Sequence, residues 1–298
     1  MERNQTNGIN RFKQNHRKAF KMSDPFKILE PTVITFSGGR TSAYMLWRVL
    51  KSNNGVLPDD AIVCFANTGK EDEATLRFVK DCEDNWGCKI HWLEYQDSSD
   101  PKSRFKVVNY ETASRNGEPF EAVITAKQFL PNVFMRFCTQ ELKIKVIDKF
   151  IASLGMNSDE MERLIGIRAD EQRRVAKVGL QNCPLAQEGI TSFDIGKFWS
   201  SNSFDLNLPK VGLNTLSNCD LCFLKGDKLL YALIKDKPSR ATWWIKQEEK
   251  LQKMVVDKER KGIATFRKNS ISYAAMMQNT LDQSDMFSDE SIACFCGD

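Results

Sequence analysis

Three short apolar runs, each closed by a turn of small polar residues and alternating with helix-period stretches, constrain this chain more than any other feature. Pro31-Thr-Val-Ile-Thr-Phe36 is bracketed by a proline and Ser37-Gly38-Gly39, as a buried parallel strand would be. From Thr41 to Lys51, Tyr44, Met45, Leu46, Val49 and Leu50 recur at helical spacing until Ser52-Asn-Asn-Gly55 stops them. Ala61 to Ala66 reads as a second strand, Asn67-Thr-Gly-Lys70 as a turn, Asp72 to Trp86 as an amphipathic helix, and Lys89 to Glu94 as a third strand. This alternation predicts an α/β fold with right-handed crossovers and a doubly wound parallel sheet. Ligands of such sheets bind beyond the carboxyl ends of the strands, which singles out Ser37 to Ser42 and Asn67 to Lys70.

Further along, Gln140 to Ala152 reads as helical, and Glu162 to Arg168 as a core strand running into Arg168-Ala-Asp-Glu171. Ala176 to Ser217, rich in Gly, Asn, Ser and Pro, reads as a long loop-rich excursion. Leu229 to Leu251 reads as helical, with Trp243 and Trp244 on a packed face, and the chain ends in Cys294-Phe-Cys-Gly-Asp298. The expected organisation is a polar tail over residues 1–30, a nucleotide-binding α/β domain over 31–217, and a helical, Cys-containing region over 218–298.

The 43 basic and 39 acidic residues leave a net charge of +4, which suits anionic small molecules and nucleic acid alike. No apolar run approaches the roughly 20 residues of a membrane helix. Met1 to Met22 is polar and basic, without the apolar core of a secretory signal. Nine cysteines, an odd number, then imply reduced thiols, metal ligation or catalysis and a cytoplasmic location.

Ser37-Gly38-Gly39-Arg40-Thr41-Ser42 leaves a strand and opens a helix, where unpaired backbone N–H groups and the helix dipole attract an anion. Glycines admit a phosphate close to the backbone, and the hydroxyls add hydrogen bonds. A plain strand-to-helix turn capped by serine is the alternative for Ser-Gly-Gly alone. The loop is neither a Walker loop nor the Gly-x-Gly-x-x-Gly dinucleotide fingerprint.

Four stretches in order, Phe36-Ser-Gly-Gly-Arg-Thr-Ser-Ala-Tyr44, Ala66-Asn-Thr-Gly-Lys-Glu71, Arg136-Phe-Cys-Thr-Gln-Glu-Leu-Lys143 and Ile165-Gly-Ile-Arg-Ala-Asp-Glu171, resemble the PP-loop superfamily. Within it the chain looks most like the phosphoadenosine-phosphosulfate (PAPS) reductase family. The resemblance implies an adenine nucleotide alpha-hydrolase-like fold that binds ATP, PAPS or adenylyl sulfate (APS). It implies a phosphate loop at Ser37, Gly38, Gly39, Arg40, Thr41 and Ser42. It also implies that Asn67, Thr68 and Gly69 border the adenosine, that Arg136, Lys143 and Arg168 face the phosphate or sulfate end, and that Gly166 belongs to the cofactor-binding set. Cys138 and Arg168 are the implied catalytic residues. Arg173 and Arg174 add positive charge, and Asp170 and Glu171 are candidate Mg²⁺ holders or ordinary surface carboxylates. The chain lacks both the Glu-Cys-Gly-Leu-His segment of thioredoxin-linked members and the adjacent Cys-Cys pair of iron-sulfur adenylylsulfate reductases.

Cys219-Asp-Leu-Cys222 is a CxxC pair, Cys294 and Cys296 form a second close pair, and Cys138 stands alone. Together they offer the four thiolates of a 4Fe-4S cluster or a structural zinc, with free thiols or a redox pair as the alternative. Resemblance to sulfur-transfer relatives implies the iron-sulfur cluster, with Cys138, Cys219, Cys222 and one of Cys294 or Cys296 as ligands. Cys64, Cys82, Cys88 and Cys183 are expected to be buried small apolar residues. With only His16 and His91, a His-based zinc site or triad is not expected.

The function expected is therefore a PAPS reductase-like oxidoreductase or sulfurtransferase, using a thiol or sulfur donor. It would either reduce an adenylyl sulfate or adenylate an acceptor and pass sulfur to it. The alternative is a nucleotide- or nucleic-acid-binding subunit of the same fold without catalysis, with Trp243 and Trp244 as base-stacking candidates. Nucleic acid as a partner, and a homo-oligomer, are compatible with either.

Overall fold

The computed structural model describes residues 24–208, 210–211, 214–215, 219–257, 264–267 and 271–282. The protein is α/β, with a five-stranded, mostly parallel sheet in the order β4-β3-β2-β1-β5. These strands are β1 (Thr32–Phe36), β2 (Ala61–Asn67), β3 (Ile90–Glu94), β4 (Lys106–Val108) and β5 (Glu162–Ile165). The chain divides into two compact units, the first comprising residues 24–36, Arg40–Ile62 and Met161–Asn202, the second Ser37–Gly39, Val63–Glu160 and the described residues from Ser203 onward.

In the first unit, β1 and β5 pair in parallel from Thr32 opposite Glu162 to Thr35 opposite Ile165. Helix α1 (Arg40–Ser52) buries Ala43, Tyr44, Met45, Leu46, Val49 and Leu50, the stripe expected from their spacing. The Asn53 side chain then ties down the preceding segment, accepting from Ile28 N at 3.2 Å and donating to Phe26 O at 3.0 Å. β5 ends at Ile165 rather than continuing to Arg168, because Ile167 N turns back to Ile165 O at 2.8 Å. The expected loop-rich excursion contains helices. The second-unit helices α2 (Glu73–Trp86), α3 (Glu118–Lys127) and α4 (Lys145–Ser153) intervene in chain order; after them the first unit holds α5 (Gln172–Val178), a turn of helix at Pro184–Gln187, and α6 (Ser192–Ser200). A capping box starts α6, with Thr191 N donating to Asp194 Oδ2 at 2.9 Å. Phe198 and Trp199 of α6 reach α1: the Phe198 ring lies 4.9 Å from Tyr44, and Trp199 Nε1 donates to Arg40 O at 3.0 Å.

In the second unit, β2 and β3 run parallel, with Asn67 opposite Glu94, and β4 adds an antiparallel edge that the sequence reading does not contain. Asp72 caps α2, accepting from Ala74 N at 2.9 Å, and left-handed Gly87 ends it. The helix expected over Gln140–Ala152 is instead a widened π turn, Gln140–Ile144, leading into α4. The run expected over Leu229–Leu251 is broken into α7 (Asp227–Asp236) and α8 (Ala241–Asp257), because Pro238 lacks the N–H a helix interior needs. With α9 (Tyr273–Asp282) they enclose an aromatic core in which Trp244 lies 4.8 Å from Phe266 and 5.3 Å from Tyr273. Among the described residues, no helix is long and apolar enough to cross a membrane.

Candidate functional site

The Ser37–Ser42 loop joins β1 to α1, as the sequence predicts. Its two glycines are not equivalent. Gly38 is buried at φ +77°, and a Cβ there would sit 2.7 Å from Thr75 Cγ2 and 3.1 Å from the Phe65 ring, so its absent side chain serves packing. Gly39 has no positive φ, and a Cβ there would meet nothing nearer than Ser37 Oγ at 3.7 Å. Nothing in the fold therefore demands glycine at position 39, whereas a ligand lying against the backbone would.

In the first unit, Thr41, Ser42, Gly166 and Arg168 come together. A Cβ on Gly166 would lie 2.8 Å from Ser42 Cα, so glycine lets the end of β5 touch the first turn of α1. Arg168 is only 7% exposed, and its Nη1 donates to Thr41 Oγ1 at 3.3 Å. Asp170 Oδ1 holds Arg168 Nε at 2.9 Å, and Glu171 Oε2 accepts from Arg168 N at 3.1 Å. Burial opposes the charge on Asp170, but Arg168 outweighs it and keeps the carboxyl below its ordinary range. Glu171 also pairs with Arg174, so both carboxylates are engaged by arginines. No acidic residue lies in the first turn of α1. A buried guanidinium thus stands at the positive end of a helix.

In the second unit, the turn after β2 is built on buried polar groups. Asn67 is fully buried, donates from Nδ2 to Glu94 Oε1 at 2.6 Å, and accepts from Gly69 N at 3.0 Å. Glu94, also fully buried, further accepts from Ser114 N at 2.6 Å and pairs with Lys106 Nζ at 2.9 Å. The sequence reading passed over Glu94; a carboxylate closing an apolar strand opposite Asn67 was its signal. Thr68 gives its hydroxyl proton to Glu71 Oε2 at 2.7 Å, and Glu71 Oε1 lies 3.6 Å from Lys143 Nζ on the π turn. Burial works against the Lys143 charge, yet Glu71 and the thiols of Cys219 and Cys138 hold its pKa above the ordinary lysine value. Arg136 is exposed.

Cys138, Cys219 and Cys222 are half-buried, whereas Cys64, Cys82, Cys88 and Cys183 are buried, as expected. Cys219 contacts Thr68 Oγ1 at 3.5 Å, and the turn that carries it is held by Trp244 Nε1 on Asp220 Oδ1 at 2.9 Å and by Tyr273 Oη on Leu221 O at 2.6 Å. Burial, then Glu71 and Cys222, push the Cys219 thiol far above its ordinary pKa against the pull of Lys143 and Thr68. Burial and Cys222 raise Cys138 as well. Among the described residues, no three His, Cys, Asp or Glu side chains are grouped to hold a metal ion. The Lys143 ammonium favours the charged form of both Cys138 and Cys219. Cys294 and Cys296 lie outside the described residues. Trp243 is half-buried, its ring 5.3 Å from that of Phe120 and Lys70 Nζ 5.2 Å from its centroid, whereas Trp244 is fully buried in the core.

No family model matches the chain, and no solved structure matches it. Among curated proteins, it is similar to the uncharacterized nin region protein ORF290 of Escherichia phage lambda. The two are 28% identical over 222 residues, which cover 69% of this chain and 70% of the phage protein. It is also similar to the uncharacterized protein MJ0066 of Methanocaldococcus jannaschii, 28% identical over 176 residues. That alignment covers 59% of this chain but 30% of the archaeal protein.

Proposed function

We propose that this chain is a cytoplasmic PP-loop enzyme of the PAPS reductase type, with the doubly wound sheet of adenine nucleotide alpha-hydrolase-like proteins. It binds ATP or an adenylyl sulfate and carries out sulfur chemistry, either sulfonucleotide reduction or sulfur transfer. The observation that carries this reading is Arg168, buried against Thr41 at the N-terminus of α1. A guanidinium at the positive end of a helix is electrostatically unfavourable unless an anion joins it. Asp170 meets that charge, with Nε at 2.9 Å and Nη2 at 3.4 Å, Glu171 Oε2 lies 4.0 Å from Nε, and Nη1 is the group turned to Thr41. A phosphate or sulfate would draw on Arg168, the Thr41 hydroxyl and the N–H groups of the first turn together. Gly39 supports the same reading, since a Cβ there would meet nothing nearer than Ser37 Oγ at 3.7 Å and the backbone lies open to a ligand. The second unit carries half-buried thiols at Cys138, Cys219 and Cys222, the residue type that sulfur chemistry uses as a nucleophile.

Isothermal titration with ATP and with adenosine 5′-phosphosulfate tests the reading. Arg168→Ala removes charge-assisted hydrogen bonds worth about 1.5–3 kcal/mol, so affinity falls about 10- to 100-fold. Gly39→Val, which obstructs only the ligand, lowers affinity by a similar factor. Unchanged affinity in both variants would sink the assignment. Tight binding without turnover of either nucleotide would favour a non-catalytic nucleotide-binding subunit.

A further inference from the structure

Exposed apolar side chains scattered singly need no explanation, but in the second unit they gather on one stretch. Phe129, Val133, Phe134, Met135 and Ile144 are all exposed between the end of α3 and the π turn, Phe134 by 78% and Met135 by 57%. Packing and hydrogen bonds fix this stretch. Leu130 and Leu142 are buried, and the Oδ1 of buried Asn132 accepts from Phe134 N at 2.9 Å and Met135 N at 3.1 Å, holding the turn that presents both side chains. Lys127 Nζ on Glu141 Oε1 at 2.8 Å joins the end of α3 to the π turn, and the Phe129 ring lies 6.2 Å from that of Phe137. Charge around the patch is one-sided. Residues 122–147 carry Lys127, Arg136, Lys143 and Lys145 against Glu141 alone. Lys143 faces Glu71 at 3.6 Å, Lys127 and Lys145 share the Glu141 carboxylate, and Arg136 is exposed.

Such a surface fits an occupant that is acidic and apolar at once. Val133, Met135 and Ile144 have no ring to stack on a base, so a peptide suits the patch better than single-stranded nucleic acid does. The chain itself carries such a peptide. Residues 283–298 hold Asp285, Asp289, Glu290 and Asp298 with no lysine or arginine, interleaved with Met286, Phe287, Ile292 and Phe295. They follow α9, which ends at Asp282 in the same unit as the patch. A peptide of that length reaches up to about 55 Å, farther than the roughly 40 Å across a compact unit of this size. We infer that residues 283–298 dock on the surface of residues 129–144 of the same chain, with their carboxylates toward Arg136, Lys127 and Lys145 and their apolar side chains over Phe134 and Met135. Tethering raises the effective concentration of the segment to the millimolar range, so a contact too weak to hold a free peptide holds this one. Cys138 lies two residues beyond Arg136, so the docked segment covers the stretch that carries that thiol. Docking needs neither nucleotide nor metal and is independent of the function proposed above.

Zero-length carbodiimide cross-linking of the full-length protein, read by mass spectrometry, tests the docking. Lys127 and Lys145 should join to Asp285, Asp289 or Glu290, while the Lys127–Glu141 cross-link inside the fold serves as the internal standard. Phe134→Asp, at a side chain already exposed, should lower the cross-links to the segment about tenfold relative to that standard, as loss of a buried aromatic contact predicts. Phe287→Ser combined with Phe295→Ser, which keeps every carboxylate and lies outside the described residues, should cause a similar loss. Arg136→Glu should lower the yield without removing a cross-linkable lysine. Mixing unlabelled with heavy-isotope-labelled protein identifies the source of the segment: same-label cross-links put it on its own chain, and mixed-label ones put it on a second copy. Three outcomes overturn the inference: no cross-link from the segment while Lys127–Glu141 forms, which assigns the patch to an outside partner; predominantly mixed-label cross-links; or yields that Phe134→Asp and the double phenylalanine variant leave unchanged. The titrations with ATP stand apart from each of these results.

Discussion

At the scale of single residues, the two loop glycines make the division between fold and ligand measurable. Alanine at Gly38 must adopt a left-handed backbone and displace Thr75, whose methyl would lie 2.7 Å away. The left-handed conformation costs roughly 1–2 kcal/mol and overpacking about as much again, so Gly38→Ala should lose about 2 kcal/mol or more in urea unfolding. Alanine at Gly39 meets only the Ser37 hydroxyl at 3.7 Å, and Gly39→Ala should stay within about 0.5 kcal/mol of wild type. Its cost should fall on nucleotide affinity. Equal destabilisation of the two variants would contradict the loop geometry. The Ser-Gly-Gly motif was legible in the sequence, but the different surroundings of its glycines were not. They depend on Thr75, Phe65 and Val79, which only the folded chain brings against Gly38.

At the scale of elements, the C-terminal helices carry a titration that the sequence does not reveal. Glu248 on α8 is 5% exposed and accepts from Phe266 N at 3.1 Å and Tyr273 N at 2.9 Å. Burial outweighs those two donors and pushes its carboxyl from the ordinary 4.5 up to about 7. Between those values the folded chain keeps a proton that the unfolded chain has released. This contribution to stability is present below about pH 4.5, falls as pH rises through about 7, and stays lost above it. The full difference is up to about 3 kcal/mol. Unfolding free energies of wild type and Glu248→Gln should therefore converge or cross in the variant's favour from pH 5 to pH 8, and a pH-independent difference would refute the shift. Long elements were legible because their apolar period persists: β1, α1, β2, α2 and β3 fall within a residue or two of expectation. Short ones were not. β4 is three residues on a sheet edge, and α5 and α6 sit among Gly, Pro and Asn residues that read as loop. The capping box at Thr191 and Asp194 was the overlooked signal for α6. Likewise the π turn before α4 leaves no periodic trace, because its extra residue shifts the pattern within a single turn.

At the scale of the whole molecule, the proposed nucleotide binding would be linked to folding, and that linkage gives a test independent of any assay for sulfur. A ligand that binds the folded chain alone stabilises it by about 2.7 kcal/mol at one hundred times its Kd. For a chain this size, that corresponds to a melting shift of several degrees. ATP or adenosine 5′-phosphosulfate should therefore raise the wild-type melting temperature in proportion to the logarithm of concentration. Gly39→Val should melt close to wild type without ligand and gain nothing from nucleotide, because its obstruction is confined to the ligand's approach. Arg168→Ala should differ from it in kind: losing a buried guanidinium that binds Asp170 and Thr41 lowers the ligand-free melting temperature as well. The double variant Ser37→Ala, Gly39→Val, which removes a loop hydroxyl in addition, should show no nucleotide-dependent shift at any accessible concentration. A full shift in that double variant would mean that the anion binds elsewhere on the chain, and that the glycine at position 39 serves no ligand.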